Sequence, residues 1–546
     1  MNVKLLLDFI KRESGNKTYK TILIMSVISG LTNSLLLSVI NSSTSKVVHG
    51  EYNYKLIIIF SLIFLIYLIT KFRSLILTAH LAEDMVYGVR ERIVKYITDT
   101  ELVEFEDLGR AEIYSRLTTD TNQISNSAPL IVIGIQSTLL VIFALVYLCF
   151  LNTIACLVTI VALSIGISNY FINGNKIQAE IKKVNTIETS YFEKINELTG
   201  GFKEIKISQQ KKFDLFYGRI QDISVKFKVS RKLLTDKLAF YFVFAQTFFY
   251  ILLGAIVFII PVFDDDLLTN IAKVTSTVIF VIMPLSEATN TIDSINKATV
   301  AIASLNDLEK RLEEKSTSNH IDPVLEGIFE NFEHINFRNL QFGYKDKTGK
   351  NQFSVGPINF EVKKGEIIFV IGGNGSGKST LLKLITGLYS PDEGYISVDG
   401  VGINQQNIEE YRNSFGVIFS DFFLFSELYG IKDPDSSVVL GLIRQMELTE
   451  KTGFKNNAFT NLSLSTGQRK RLAMISVILE NKSILVFDEW AADQDPEFRK
   501  YFYDVLIHDF IKQGKTIIAI THDDHYFDKA DRIYKMDFGK FKEYKI

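Results

Sequence analysis

The chain has 546 residues, too many for one hydrophobic core, so it divides into two or more domains. Its charges nearly cancel, at a formal net of −2, which argues against a polyanion-binding face and a nucleic-acid partner. The only cysteines, Cys149 and Cys156, lie in one apolar stretch; they exclude a disulfide framework or a zinc spacing and read as small apolar residues.

The N-terminus is polar and basic (Lys4, Lys11, Arg12, Lys17, Lys20) and lacks a cleavable leader pattern, so the first apolar stretch reads as a spanning helix. The roughly 20 residues ahead of it are too few for a leader-cleaving protease domain. Between Lys20 and Lys46 lie 25 uncharged residues, enough for one span. A second begins near Leu56 and continues past Lys71 and Arg73. Positions 121–175 carry no charge at all, which is two spans with a turn near Leu151-Asn152. Positions 238–263 form another uncharged run, and 13 uncharged residues between Lys273 and Glu287 make the shortest candidate. An outer turn at Asp264-Asp265-Asp266 and the need to return to the cytoplasm support it. Six spans are expected, at about 20–42, 55–75, 128–150, 153–174, 238–262 and 270–296.

Lys and Arg crowd the N-terminus and the segments 71–120 and 176–237, and are sparse in the turns near 42–54, 151–153 and 262–270. Both termini and the long segments are therefore expected on the cytoplasmic side. The long segments read as helices leaving the bilayer, interrupted at Phe105–Glu112 and Asn196–Glu204, where short cross-helices would press on a neighbouring domain. Glu287 sits in the inner part of span six, within a polar stretch that ends at Asp293. These two acids either face a water-filled cavity and touch substrate, or lie solvated at the interface. Pro284 reads as a kink, and the aromatics of span five as lipid-facing or packing residues.

A charged helical stretch, Asn306 to Ser318, leads to a boundary near 325. The domains are thus 1–325, all-α with six membrane helices that extend into the cytoplasm, and 326–546, with the strand–helix alternation of an α/β fold. In the second, Ile367–Ile371 reads as a buried strand, followed by Gly372-Gly-Asn374-Gly375-Ser376-Gly377-Lys378-Ser379 and a helix from Thr380. Strand, G-x-x-x-x-G-K-[ST] loop and helix make a phosphate-binding loop. Backbone N–H groups curl around phosphates, Lys378 adds a charge, and the Ser379 hydroxyl ligates Mg²⁺. Leu464-Ser465-Thr-Gly467-Gln468 opens an amphipathic helix suited to a γ-phosphate. Ser483–Asp488-Glu489 is a strand ending in two acids, Asp488 for the Mg²⁺ shell and Glu489 as general base. His522 follows the strand Thr516–Ile520, and Tyr344 is placed to stack on adenine.

Phosphate loop, LSTGQ signature, Asp-Glu strand end and switch histidine, in this order, resemble an ABC-type ATPase domain. Six spans ahead of it resemble an ABC exporter half-transporter, and the resemblance covers essentially the whole chain. It implies ATP sandwiched between Lys378 of one copy and Ser465 of another, hence a homodimer with two composite sites, using ATP and Mg²⁺ and embedded in membrane lipid. It also implies an exporter rather than an importer, with both termini on the inner side of a bacterial cytoplasmic (inner) membrane. The uncharged runs exclude a soluble ABC ATPase. Where such ATPases carry glutamine, this chain has Ser420, followed by Asp421. Asp488-Glu-Trp-Ala-Ala-Asp-Gln-Asp-Pro496 and Thr521-His-Asp-Asp-His-Tyr-Phe527 resemble the cyclic-peptide export subfamily. That likeness implies export of a lasso peptide, lipopeptide or siderophore precursor. The alternative is a lipid or multidrug exporter of the same architecture.

Overall fold

The computed structural model describes residues 3–14, 18–48, 54–263, 265–315, 329, 331–345 and 351–545. Asp264 of the expected outer turn and the linker boundary near 325 lie outside the described residues. The chain forms two compact units, Met1–Arg92 with Tyr114–Leu308, and Ile93–Ile113 with Glu309–Ile546.

The first unit is helical: α1 (Val3–Glu13), α2 (Thr18–Val48), α3 (Tyr54–Thr98), then, beyond α4 (Leu102–Leu108) and α5 (Arg110–Ser115), α6 (Thr121–Leu151) and α7 (Thr153–Gly200). After α8 (Phe202–Ile207) and α9 (Gln209–Leu215) come α10 (Gln221–Gly254) and α11 (Asp265–Lys315). Among the described residues five helical stretches are long and apolar enough to cross a membrane: Thr18–Thr44, Tyr54–Thr98, Arg110–Leu151, Gln209–Val262 and Asn270–Glu314. The apolar part of α7, Thr153–Gly166, is shorter. Exposure runs against the rule for a water-soluble bundle. Ile57, Ile58, Leu62 and Leu65 of α3 are exposed, while Ser26, Asn41, Ser74 and Gln136 are buried. These buried groups bond between helices, Ser26 to Ser74 at 2.9 Å, Gln136 to Ser74 at 3.2 Å and Asn41 to Thr277 at 3.2 Å. Polar contacts inside and apolar side chains outside suit helices surrounded by lipid.

Asn152 makes the turn between α6 and α7. Its backbone is extended, and its side chain accepts the N–H of Ala155 at 2.8 Å, which caps α7. Across this turn Cys149 and Cys156 are joined by a disulfide. This corrects the reading of both as plain apolar residues: spacing along one uncharged run hides that a helical hairpin folds them together. In the segment 176–237 α7 runs unbroken to Gly200, so the interruption expected at Asn196–Glu204 narrows to the turn at Gly201 before α8.

The second unit takes in α4, where Leu102 and Val103 pack against its core. Its strands are β1 (His334–Lys345), β2 (Asn351–Lys363), β3 (Ile367–Ile371), β4 (Glu393–Val398), β5 (Val401–Gly402), β6 (Phe415–Ile418), β7 (Phe454–Lys455), β8 (Ala458–Phe459), β9 (Ile484–Asp488), β10 (Thr516–Ile520), β11 (Arg532–Asp537) and β12 (Lys540–Tyr544). A four-stranded antiparallel sheet, β2-β1-β4-β5, lies beside a six-stranded sheet of order β12-β11-β3-β10-β9-β6. In the larger sheet β11, β3, β10, β9 and β6 run parallel. Their apolar runs are buried on both faces, as parallel strands require. Its helices include α12 (Lys378–Ile385), α13 (Ile408–Asn413), α14 (Ser436–Gln445) and α15 (Thr466–Glu480).

Candidate functional site

Four neighbouring parallel strands deliver the expected residues to one end of the sheet. The phosphate loop follows β3, Thr521-His522 follow β10, Asp488 ends β9, and Ser420 stands two residues beyond β6. Crevices beyond the carboxyl ends of parallel strands are where α/β sheets bind ligands.

Gly372 has φ +151°, and a Cβ there would lie 2.3 Å from the carbonyl oxygen of Met536, so only glycine lets the chain turn out of β3. The loop ends at Gly377, from which α12 starts with Lys378. Lys378 is nearly buried; its ammonium donates to the carbonyls of Gly372 at 2.8 Å and Gly373 at 3.1 Å. It also stands 3.5 Å from a carboxylate oxygen of Glu489. The Ser376 hydroxyl is buried and has no hydrogen-bond partner among the described residues. An orphaned donor just ahead of the N-terminus of α12 fits an anion in the loop.

Asp488 is buried, and one of its oxygens accepts from Ser379 Oγ at 3.2 Å and Ser420 Oγ at 3.0 Å. Burial pushes its carboxyl above the usual value, and these hydroxyls pull partly the other way. Among the described residues no cluster of three or more His, Cys, Asp or Glu side chains forms a metal cage. The oxygen set Ser379, Asp488 and Ser420 suits Mg²⁺ shared with phosphates, because that ion is held by one or two carboxylates plus substrate oxygens.

Glu489 adopts φ 49°, ψ 36°. One carboxylate oxygen stands between Lys378 Nζ and His522 Nε2, the latter at 3.2 Å. Tyr344, on β1, reaches α12 through its hydroxyl, 3.1 Å from Thr380 Oγ1. Asn374 and Gly375 lie in the same loop, the latter with φ +75°.

The signature residues sit apart from this group in hydrogen bonding. Ser465 caps α15, accepting the N–H of Gln468, while the Gln468 side chain accepts the N–H of Ser465, a reciprocal capping box. A Cβ on Gly467 would lie 2.5 Å from the Asp493 carbonyl oxygen, so the signature glycine permits close approach of the segment after Glu489. Gln494 Nε2 donates to Gly467 O at 3.1 Å. Among the described residues no hydrogen bond links Ser465, Gly467 or Gln468 to the phosphate loop.

Sequence reasoning missed two buried cations on α15. Arg471 bonds Gln494 Oε1 at 2.9 Å and Glu447 at 3.0 Å and pairs with Asp495, while Lys470 pairs with Asp493 at 2.7 Å. The signal was present: two acids in Asp493-Gln-Asp495 and two cations in Lys470-Arg471, on neighbouring elements. Trp490 is buried, 4.6 Å from the Phe502 ring, and donates to Lys470 O at 3.0 Å. In the membrane unit Glu287 and Asp293 part company. Glu287 accepts a hydrogen bond from Ser137 of α6, whereas exposed Asp293 pairs with Lys297 one turn along α11 at 2.8 Å.

Residues 355–492 match the family model described as ABC transporter. ATP-binding protein SyrD of Pseudomonas syringae pv. syringae is 29% identical over 95% of this chain and 92% of its own length. The ATP-dependent lipid A-core flippase of Paraburkholderia xenovorans (strain LB400) is 25% identical over 87% of this chain and 80% of its own. Energy-coupling factor transporter ATP-binding protein EcfA1 of Mycoplasma genitalium (strain ATCC 33530 / DSM 19775 / NCTC 10195 / G37) is 33% identical over 37% of this chain and 76% of its own. A solved bacterial Atm1-family ABC exporter with ATP bound superposes with a TM-score of 0.72, at 17% identity, over 96% of this chain and 94% of that one.

Proposed function

The chain belongs to the ABC transporters, and from that membership we propose that it is an exporter carrying a cyclic or otherwise modified peptide out of the cytoplasm. ATP hydrolysis coupled to transport is the activity of its ATPase part. The observation that carries the ATPase reading is the convergence of Lys378, Ser379, Asp488, Glu489 and His522 at the carboxyl ends of the parallel strands. The string Asp488–Pro496, which resembles the cyclic-peptide export subfamily, supports the peptide, while similarity to ATP-binding protein SyrD along nearly the whole chain supports the use of ATP.

In this reading Lys378, the N–H groups of residues 374–379 and the Ser376 hydroxyl hold the phosphates, while Tyr344 stacks on adenine. Glu489 takes the proton of the attacking water, and His522 orients Glu489 and the terminal phosphate. Ser379, Asp488 and Ser420 would hold Mg²⁺, which supplies neutralising charge on the phosphates. Ser465 is bonded within its own helix cap rather than to the phosphate loop, which supports a signature reaching the nucleotide of a second copy. The protein then works as a homodimer, ATP binding closes it, and the spans alternate between inward and outward access. A disulfide at the α6–α7 turn supports an oxidising outer face there and hence cytoplasmic termini.

The test is ATP-driven uptake into inverted membrane vesicles of a panel of lasso, cyclic and siderophore peptides, with Glu489→Gln, whose residual hydrolysis is too slow to drive accumulation, as the control. Accumulation of one class, lost in the variant, is expected. Hydrolysis with no accumulation of any member sinks the peptide and favours a lipid or drug, the direction in which similarity to the lipid A-core flippase points.

A further inference from the structure

Lys470 lies on α15, five residues beyond Ser465, with its side chain 3% exposed. A buried ammonium is costly unless fully paired. Here it donates to the backbone carbonyl of Glu489 at 2.7 Å and pairs with Asp493 at 2.7 Å. The same turn is tied back to the helix, since Trp490 Nε1 donates to the carbonyl of Lys470 at 3.0 Å.

Glu489 needs such support. Its φ of 49° is a conformation that residues with a Cβ reach at a cost and keep only when the surroundings hold them. Its N–H bonds Ile520 O at 3.2 Å, and the N–H of Ala492 reaches its carbonyl at a longer 3.3 Å. The Lys470 ammonium is the short, charge-assisted contact to that carbonyl. A shift of the peptide there would swing the carboxylate away from Lys378 and His522.

We infer that Lys470 is a positioning residue for Glu489, fixing the backbone of the strand end so that its carboxylate stays in the site. The inference rests on the reading of Glu489 as general base. It adds that the base is aimed by the signature helix of its own chain, through Lys470 and Asp493.

The experiment uses the full-length protein in lipid nanodiscs and a double-mutant cycle between Lys470→Met and Glu489→Gln. Lys470→Met is expected to lower kcat by about 10- to 100-fold, the scale of a small misplacement of a reacting group. The KM for ATP and the binding of a fluorescent ATP analogue should stay unchanged, and Lys470→Arg should restore part of kcat. In the Glu489→Gln background, Lys470→Met should cause no further loss. Wild-type kcat in Lys470→Met, or the same proportional loss in the Glu489→Gln background, overturns the inference. If Lys470→Met fails to fold, Lys470→Gln takes its place in the cycle under the same criteria. A Glu489→Gln protein that hydrolyses ATP at the wild-type rate removes the general base itself, and the inference with it.

Discussion

Tyr389 donates its hydroxyl to the carboxylate of Glu106, joining α4 to a residue four positions beyond the phosphate-loop helix. Burial, reinforced by that carboxylate, pushes the Tyr389 phenol well above its usual pKa, so the proton stays on the tyrosine. Lys383 of α12 also donates to Glu106, at 2.8 Å. A short cross-helix is thus held by charge-assisted bonds to the element that opens at the phosphate loop.

Glu106→Ala leaves the buried Tyr389 hydroxyl without this acceptor, a cost of about 1–3 kcal/mol. The expected result is a lower apparent Tm, with Glu106→Gln closer to wild type because an amide oxygen still accepts. Thermal unfolding of the three proteins checks it, and equal Tm values for Ala and wild type would show the contact to be idle.

Ser376 sets stability against binding. Its hydroxyl is buried and unpaired, so Ser376→Ala should raise the apparent Tm of the nucleotide-free protein, by up to the roughly 1–3 kcal/mol that an unmet polar group costs. The same change should weaken ATP binding about tenfold, since a hydrogen bond to a charged group contributes roughly 1.5–3 kcal/mol. Melting curves with and without ATP read both signs. A fall in both would mean that Ser376 serves folding instead.

Asp488 makes a pH prediction. Its folded-state carboxyl titrates above the unfolded value because it is buried. The ionised form is therefore disfavoured by folding, a penalty that is present at neutral pH and disappears as pH falls below the unfolded aspartate value of about 3.9. Asp488→Asn should raise the nucleotide-free apparent Tm at pH 7–8, at about 2–4 °C for each kcal/mol, and the gain should shrink toward acid. Removing only one of its hydroxyl partners, with Ser420→Ala, should instead raise the Mg²⁺ concentration for half-maximal ATPase about tenfold. A pH-independent difference in the first case, or an unchanged Mg²⁺ requirement in the second, would count against these roles.

In the membrane unit, Glu287→Ala should lower stability by about 0.6–1.7 kcal/mol, the scale of an interhelical hydrogen bond in lipid. Asp293→Asn breaks only an exposed pair on one helix and should change stability by less than about 0.5 kcal/mol. Unfolding in detergent compares them; equal effects would remove the distinction.

The α/β class, the phosphate loop and the acidic strand end were legible because glycine spacing, an apolar strand and a capped helix are local signals. What brings Ser420 onto Asp488 is strand order, and β6 and β9 are separated by some 65 residues of chain. The first interruption of the long helices was expected at Phe105–Glu112, and α4 begins earlier, at Leu102, because Leu102 and Val103 are drawn into the core of the ATPase unit. The disulfide and the Lys470–Asp493 pair escaped for a related reason. A cysteine in an apolar run or a lysine on a helix carries no mark of its partner until the chain folds back.

Trp490 is the only tryptophan in the 546 residues, and it adjoins Glu489. Its indole is enclosed by Phe498 and Phe502 and hydrogen-bonded to the helix that begins at the signature. Light absorbed at the red edge of the protein spectrum is therefore emitted from one place, the turn that aims the glutamate. The molecule carries its own optical probe of that turn, and changes in its emission during turnover can be followed without attaching a dye.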